Sequence, residues 1–326
     1  MFRGLFFKVE GMKNVNYNKN ISKRGDKIMT EKDYLVRGLA FDGTIRATAV
    51  RATNTVSTAQ KAHDTWSAAS AALGRTLVAG LLLGATQQKG DTKLTIKVQG
   101  NGPGGAIIVD ADASGHVKGY IQNPEVSLPL NEKGKIDVRG VVGTEGSLTV
   151  IKDLGLKEPF TGQVPLVSGE LGEDFTYYMA SSEQIPSSVG LSVLVDTDDS
   201  IRAAGGFMIQ VMPGATEETI AEIEKRLADI PFVSHLIDEG ETPEAILYRL
   251  LGEENVEILD REPVSFKCDC SKEKFAGALQ GISAKELSAM IEEDHGAEAV
   301  CHFCNKHYHF TEDELRQIQA KNGGEA

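Results

Sequence analysis

The four cysteines of the chain form two tight pairs in its last quarter. One residue separates Cys268 from Cys270, two separate Cys301 from Cys304, and thirty lie between the pairs. Zinc prefers a tetrahedral set of ligands and binds thiolate sulfur well, so two close pairs brought together by folding can supply a complete set. In an extended segment Cys268 and Cys270 point to the same side and can share one ion. The spacing therefore predicts a zinc site made of four cysteines.

The same spacing also permits redox chemistry, because the members of each pair lie within reach of a disulfide if the backbone bends. Three interpretations follow: a permanent structural metal site, a thiol switch that loses its metal on oxidation, and a thioredoxin-like catalyst. The catalyst needs Cys-x-x-Cys between a strand and a helix. Residues 301–310 instead have the pattern strand, turn, strand, which argues against it. Four nearby histidines are interpreted as exposed or hairpin-packed spectators: His295, His302, His307 and His309.

Local signals predict the elements that hold the cysteines. Residues 283–286 and 311–314 each form a capping box ahead of apolar residues at helical spacing. The predicted order is strand, helix, hairpin, helix. A piece this small has little apolar core, so metal binding should supply most of its folding free energy, on the order of 10 kcal/mol or more. Removal of the metal should unfold it.

Residues 215–260 are predicted to be an acidic helical linker. Thr216 can cap a first helix and Thr242 a second, with Pro243 at the first helical position. Each helix carries an apolar stripe: Ile220, Ile223, Leu227 and Ile230 in the first, Ile246, Leu247, Leu250 and Leu251 in the second. Isolated helices of this length are marginal, so both must pack against something.

Residues 29–214 are predicted to form an α+β core domain with an antiparallel sheet and packed helices. An Asp-Gly turn at 42–43 lies between two alternating runs, which is typical of a β-hairpin. Residues 67–83 form a helix rich in alanine and leucine, whereas 174–181 fit a helix or a strand equally. Pro165 places its strand at a sheet edge.

Residues 100–105 contain a G-x-G-x-x-G pattern. This pattern indicates dinucleotide binding only when a helix follows it. Here a second strand follows, so we interpret the glycines as loop and bulge residues between antiparallel strands.

Composition and charge restrict the class of protein. The chain has 326 residues and net charge −13, and residues 217–326 alone carry −14, the opposite of a surface that binds nucleic-acid phosphates. Four clustered cysteines indicate a metal or redox site in a reducing compartment rather than a secreted disulfide framework. The sequence contains no stretch of about 18 apolar residues, so no membrane-spanning helix is predicted. We therefore expect a cytoplasmic protein without nucleic-acid or membrane partners.

Residues 1–28 are basic and polar, with no secretory signal. Three interpretations remain open: a disordered tail, a mitochondrial presequence, or a segment that is not translated in the cell because synthesis starts at Met29.

From about Tyr34 to Gln319 the sequence resembles the 33-kilodalton heat-shock protein family of redox-regulated bacterial holdase chaperones. The resemblance lies in the following segments: CDCSKEKF at 268–275, IEED at 291–294, VCHFCN at 300–305, LGRT at 73–76, LVSGELG at 166–172, and GGF to MPG over 205–214. The combination of Cys-x-Cys with Cys-x-x-Cys is the most specific of these features. The resemblance favours the thiol switch over the permanent metal site.

The resemblance implies a non-enzymatic, ATP-independent mechanism. Reduced, Cys268, Cys270, Cys301 and Cys304 hold one Zn²⁺ per chain and the chaperone is inactive. Oxidation by hypochlorite, or by peroxide together with unfolding stress, joins Cys268 to Cys270 and Cys301 to Cys304. Zinc leaves, residues 261–326 unfold, and the linker exposes apolar surface to unfolded clients. The active form is a homodimer, and thioredoxin-type systems restore the resting state, which passes clients to ATP-driven chaperones.

Two other classes remain as alternatives. A zinc-ribbon protein that binds nucleic acid is disfavoured by the acidic last third. A thiol oxidoreductase is disfavoured because no βαβ frame surrounds the cysteines.

Overall fold

A computed structural model describes residues 32–87, 90, 92–132 and 134–322. The strands are β1 (Tyr34–Ala40), β2 (Ile45–Arg51), β3 (Lys93–Gly100), β4 (Ala106–Asp112), β5 (His116–Ile121), β6 (Gly146–Asp153), β7 (Phe160–Pro165), β8 (Ser187–Val195), β9 (Ile201–Val211), β10 (Val256–Pro263), β11 (Ser265–Phe266), β12 (Gly296–Val300) and β13 (His307–Thr311). The helices are α1 (Thr53–His63), α2 (Ser67–Gln87), α3 (Val138–Val142), α4 (Gly172–Ser181), α5 (Glu217–Asp229), α6 (Val233–Asp238), α7 (Pro243–Leu251), α8 (Lys272–Leu279), α9 (Ala284–Glu292) and α10 (Glu312–Asn322). The interpretations of residues 1–28 fall outside the described residues.

The first sheet has the strand order β10-β1-β2-β9-β8, and all its neighbours are antiparallel. The predicted hairpin is confirmed: β1 pairs with β2 from Tyr34 opposite Arg51 to Ala40 opposite Ile45. Phe41 and Asp42 both have positive φ at the turn. Alternation along the strands gives the sheet two apolar faces, and each is covered by helices.

The second sheet has the order β11-β5-β4-β3-β6-β7. Its strands are antiparallel except for the short parallel pair of β11 with β5, and β7, which contains Pro165, is an edge strand as predicted. Helix α2 packs against strands of both sheets and forms the centre of the main apolar core. It is long and apolar enough to cross a membrane, but 89% of its Ser67–Thr86 window is buried within the fold, as expected of a core helix. The predicted α+β class with antiparallel sheets is therefore correct.

The glycine motif at 100–105 lies in the connection between antiparallel strands β3 and β4, as predicted. A Cβ atom on Gly102 would lie 2.3 Å from the Val141 carbonyl oxygen, and Gly105 has a φ of +67°. The glycines thus allow the loop backbone to approach helix α3 closely. The undecided segment 174–181 is helical and belongs to α4.

The linker helices pack on the face of the first sheet that α2 does not cover. Thr216 and Thr242 cap α5 and α7 through their hydroxyls, as predicted. The apolar side chains of the three linker helices are buried in one cluster with sheet residues: Ile223, Leu227, Ile230, Val233, Leu236, Ile237, Ile246, Leu247, Leu250 and Leu251. This sheet is therefore the surface against which the short helices are stabilised.

Several elements were absent from the sequence prediction, among them the short helix α3 and the three that follow. Helix α1 follows β2, strand β10 follows the linker helices and pairs with β1, and helix α8 follows the first cysteine pair. The described residues divide into two compact units, of which the first ends at Phe266 and the second begins at Lys267. Strand β10 and the linker helices belong to the first unit.

Candidate metal centre

The second unit brings the four predicted cysteines together. Their Sγ atoms all lie within 4.8 Å of one another, and all four are free thiols. The Sγ atoms of Cys268 and Cys301 are 3.7 Å apart, and those of Cys270 and Cys304 are 3.4 Å apart. Tetrahedral zinc with Zn–S bonds of about 2.3 Å separates its sulfur ligands by about 3.8 Å. The donor set therefore fits one zinc ion.

Two backbone segments hold the sulfurs. The first pair lies in an irregular segment between β11 and α8, rather than in the extended strand considered above. The second pair begins the turn between β12 and β13, where the Cys301 amide donates to the Lys306 carbonyl at 3.0 Å and the Asn305 amide donates to the Cys301 carbonyl at 2.7 Å. Asn305 has a φ of +56°, a left-handed conformation that asparagine tolerates. The predicted hairpin is present, but its first strand lies earlier than predicted: β12 ends at Val300, so residues 301–310 contain only the turn and most of β13.

The small apolar cluster of this unit lies beside the cysteines. Its buried members are Leu287, Ile291, Tyr308, Phe310, Leu315 and Ile318. Ser283 and Glu286 form a reciprocal capping box at the start of α9, and Thr311 and Glu314 do the same at the start of α10. Both boxes were predicted. Six buried side chains make a small core, which is consistent with a unit that depends on its metal.

Tyr308 contacts the site and was not singled out from the sequence. Its hydroxyl lies 3.0 Å from the Cys270 carbonyl oxygen and 3.2 Å from the Cys270 Sγ, and its ring packs on Phe275 with centroids 5.2 Å apart. The available signal was the alternation along β13, which buries Tyr308 and Phe310 and exposes the histidines between them. A buried tyrosine needs a partner for its hydroxyl, and the cysteine segment supplies it.

The thiols differ in acidity. Burial raises the pKa of Cys268 and of Cys304. Burial opposes ionisation of Cys270 as well, but hydrogen bonds from Tyr308 and the neighbouring sulfurs outweigh it and lower the pKa of Cys270 to about 7. Thiolates this close repel one another, so ionisation of the whole set requires a bound cation.

The histidines lie outside the donor set. His307 and His309 are exposed and face Glu298 at 3.0 and 3.3 Å, while His295 faces Glu312 at 2.9 Å. Within the described residues, the only cluster of possible metal ligands contains the four cysteines and none of the histidines.

This arrangement defines a class of protein: an α+β body with packed linker helices, followed by a small unit built around a four-cysteine metal centre. Comparison with known proteins gives the family. A family model described as Hsp33 protein matches residues 33–311. The 33 kDa chaperonin of Enterococcus faecalis is 67% identical over 288 residues, covering 88% of this chain and 96% of that protein. The 33 kDa chaperonin of Levilactobacillus brevis is 60% identical over 286 residues, covering 88% and 97%.

A solved structure agrees. The crystal structure of the 33 kDa chaperonin (heat shock protein 33 homolog) from Thermotoga maritima superposes with a TM-score of 0.84 at 38% identity, covering 90% of this chain and 99% of that one. The chain therefore belongs to the Hsp33 family of chaperones, as the sequence motifs indicated.

Proposed function

We propose that this chain is a redox-regulated, ATP-independent holdase, inactive when reduced and zinc-bound and active when oxidised. The observation that carries the proposal is the single cluster of four free thiols with Sγ atoms within 4.8 Å of one another. Bound there, zinc would keep all four sulfurs ionised and hold the small unit folded. Cys268, Cys270, Cys301 and Cys304 are the residues that would hold it.

The activating step is the formation of two disulfides. Two thiolates and one hypochlorous acid give one disulfide, chloride and hydroxide: the sulfurs lose two electrons, and the oxidant takes them up. Two thiolates and one hydrogen peroxide give one disulfide and two hydroxides. We assign the bonds as Cys268–Cys270 and Cys301–Cys304. Once all four sulfurs are in disulfides, the site has no thiolate left to hold zinc.

Loss of the donor set should unfold the small unit, because six buried apolar side chains are a small core. In our proposal the functional parts are the core at 29–214, the linker at 215–260 and the switch at 261–326. In the proposed cycle, unfolding of the switch leads to release of the linker helices from the first sheet, and apolar side chains of α5 to α7 become available to unfolded clients. In the present structure those side chains are buried against the first sheet, as the inactive form requires.

The partners follow from this cycle. Clients are unfolded or oxidatively damaged proteins, recognised through apolar surface, and the active form is a homodimer. Thioredoxin-type reductants reverse the disulfides by thiol–disulfide exchange, after which ATP-driven chaperones receive the client. The proposed compartment is the cytoplasm, where reductants of this kind keep the resting thiols reduced.

The test follows zinc release and suppression of client aggregation in the same sample, before and after hypochlorite. We expect about one zinc per chain to be released, with holdase activity appearing in parallel and disappearing after treatment with a dithiol. Peptide mapping of the oxidised protein identifies the disulfide pairs. If the oxidised protein retains its zinc and gains no holdase activity, the proposal is wrong and the four cysteines have a purely structural role.

A further inference from the structure

The first unit contains a cavity of about 470 Å³ on one face of the first sheet, beside its edge strand β10. Its walls come from β1, β2, β10 and the C-terminal end of α2, and its polar lining includes Arg37, Arg46, Thr48 and Thr86. This volume lies within the range of sites that bind small molecules. None of these residues belongs to the metal centre.

The two arginines of the cavity differ in their contacts. Arg37 is fully engaged: it donates to Asp260 at 3.0 Å, to Glu262, and to the Ala85 carbonyl at the end of α2. Arg46 has a buried Nε with no hydrogen-bond partner in the described part of the chain. Burial lowers the pKa of Arg46, and no carboxylate acts against that shift. Arg46 is only half-buried, so water reaches part of its side chain, but its Nε is buried without a partner among the described residues.

A second unpartnered group lies next to Arg46. Gln210 on β9 is directly opposite Arg46 on β2 in the antiparallel register, so the two side chains share a face of the sheet. Gln210 is 1% exposed, and neither its Oε1 nor its Nε2 has a hydrogen-bond partner among the described residues. Ser187, on the other side of Gln210, donates its hydroxyl to the Ile185 carbonyl instead.

Native proteins satisfy nearly all of their buried polar atoms, so it is unusual that the Arg46 Nε and the neighbouring Gln210 amide both lack partners among the described residues. A ligand that accepts hydrogen bonds from the Arg46 Nε and the Gln210 Nε2 would give each of these two donors a partner. Charged oxygen is the strongest acceptor for a guanidinium. We propose that the Arg46 cavity binds a small oxyanion, with a carboxylate or phosphate group on Arg46. Gln210, which lies opposite Arg46 on the same face of the sheet but outside the cavity lining, is the second contact of the bound ligand.

The rest of the lining restricts the size and charge of the ligand. Asp260 and Glu262 also line the cavity, and Arg37 holds both of them. These carboxylates repel polyanions, so nucleic acid and polyphosphate are excluded. The ligand is a compact anion with one acidic group or two. Because β10 forms one wall, a bound anion stabilises the pairing of β10 with β1 in the folded state.

The test is anion binding to the full-length, reduced, zinc-loaded protein in a buffer of low ionic strength. Inorganic phosphate, acetate and succinate are titrated separately, with binding followed by calorimetry and by the NMR resonance of the Arg46 Nε–H group. We expect saturable binding of at least one anion with a Kd below about 10 mM. Comparison of phosphate with the two carboxylates identifies the acidic group that the site prefers.

Variants localise the effect. Arg46→Met should abolish the binding, and Gln210→Met should weaken it about ten-fold, which is about 1.4 kcal/mol. Gln210→Met should also raise the melting temperature without anion, because it removes an unpartnered buried amide. Arg226→Met is the matched control, since Arg226 is on α5 and pairs with Glu222. Absence of saturable binding, or equal binding in wild type and Arg46→Met, would overturn the proposal and leave a cavity that holds only water.

Discussion

The hydroxyl of Tyr308 lies 3.2 Å from the sulfur of Cys270 and 3.0 Å from the carbonyl oxygen of the same residue. One side chain on β13 therefore positions both the backbone and the thiol of the first cysteine pair. Groups that hydrogen-bond to metal ligands fix their orientation, and loss of such a group commonly costs ten-fold or more in metal affinity.

Tyr308→Phe removes this hydroxyl and keeps the ring that packs on Phe275. We expect zinc affinity to fall about ten-fold and the fold of the reduced, zinc-loaded protein to be unchanged. Competition with a chromophoric chelator measures the affinity, and Tyr248→Phe in the first unit is the control. If Tyr308→Phe and Tyr248→Phe bind zinc with equal affinity, the Tyr308 hydroxyl does not contribute to metal binding.

Chelation of the metal under reducing conditions should unfold the second unit alone. Its six buried apolar side chains do not offset the chain entropy, whereas the first unit has two larger cores. Hydrogen exchange measured by mass spectrometry should show loss of protection in α9 and α10 and retained protection in α2 and β9. Protection that persists in α9 after complete removal of zinc would contradict this dependence.

The metal centre could be predicted from the sequence because its signals are local. Each signal is contained in a few consecutive residues. One is a pair of cysteines at short spacing, and the other is a serine or threonine three positions before a glutamate. The glycine loop was interpreted correctly for the same reason: a strand follows it directly. Tyr308 could not be assigned, because its partner Cys270 is 38 positions away.

Two of the missed elements, α1 and β10, lack a local signal. Helix α1 is rich in threonine, and Asp33, 22 positions earlier in the chain, caps it: the carboxylate accepts from the Thr55 amide at 2.6 Å and from the Thr55 hydroxyl at 2.7 Å. Strand β10 is mostly exposed and highly charged, so it has no alternating apolar pattern. It exists because β1 offers an unpaired edge, a property of the folded sheet.

Acidification should weaken the packing of α6 on the first sheet. Burial is the largest influence on His235 and lowers its pKa below the usual 6.5, although Asp238 and Glu239 act in the opposite direction. Unfolded, the imidazole titrates at its usual pKa and binds more protons than the folded form below that value. Its contribution is therefore fully present above pH 6.5 and is lost as the pH falls towards the lower folded pKa.

Hydrogen exchange of α6 peptides at about pH 7.5 and about pH 6 checks this, after correction for intrinsic exchange rates. His235→Gln should remove most of the pH dependence, whereas His116→Gln in the second sheet should preserve it. Zinc content is measured at both values so that loss of metal is not mistaken for the effect. The same pH dependence in wild type and His235→Gln would refute the assignment.

Leu250→Ala tests whether the buried linker stripe restrains chaperone activity. Leu250 on α7 is fully buried between the linker helices and the first sheet, whereas Leu259 on β10 is 54% exposed. The substitution should reduce the free energy of unfolding by about 3 kcal/mol, the usual cost of such a cavity. Because the lost contacts hold α7 on the sheet, the reduced, zinc-loaded variant should suppress client aggregation partially without oxidant. Leu259→Ala, the control, should remain inactive until it is oxidised.

Denaturant titration measures the stability of each variant, and light scattering of an aggregating client measures its chaperone activity. The prediction is wrong if Leu250→Ala loses this stability but stays inactive when reduced. That result would show that the packing of the linker does not control client binding.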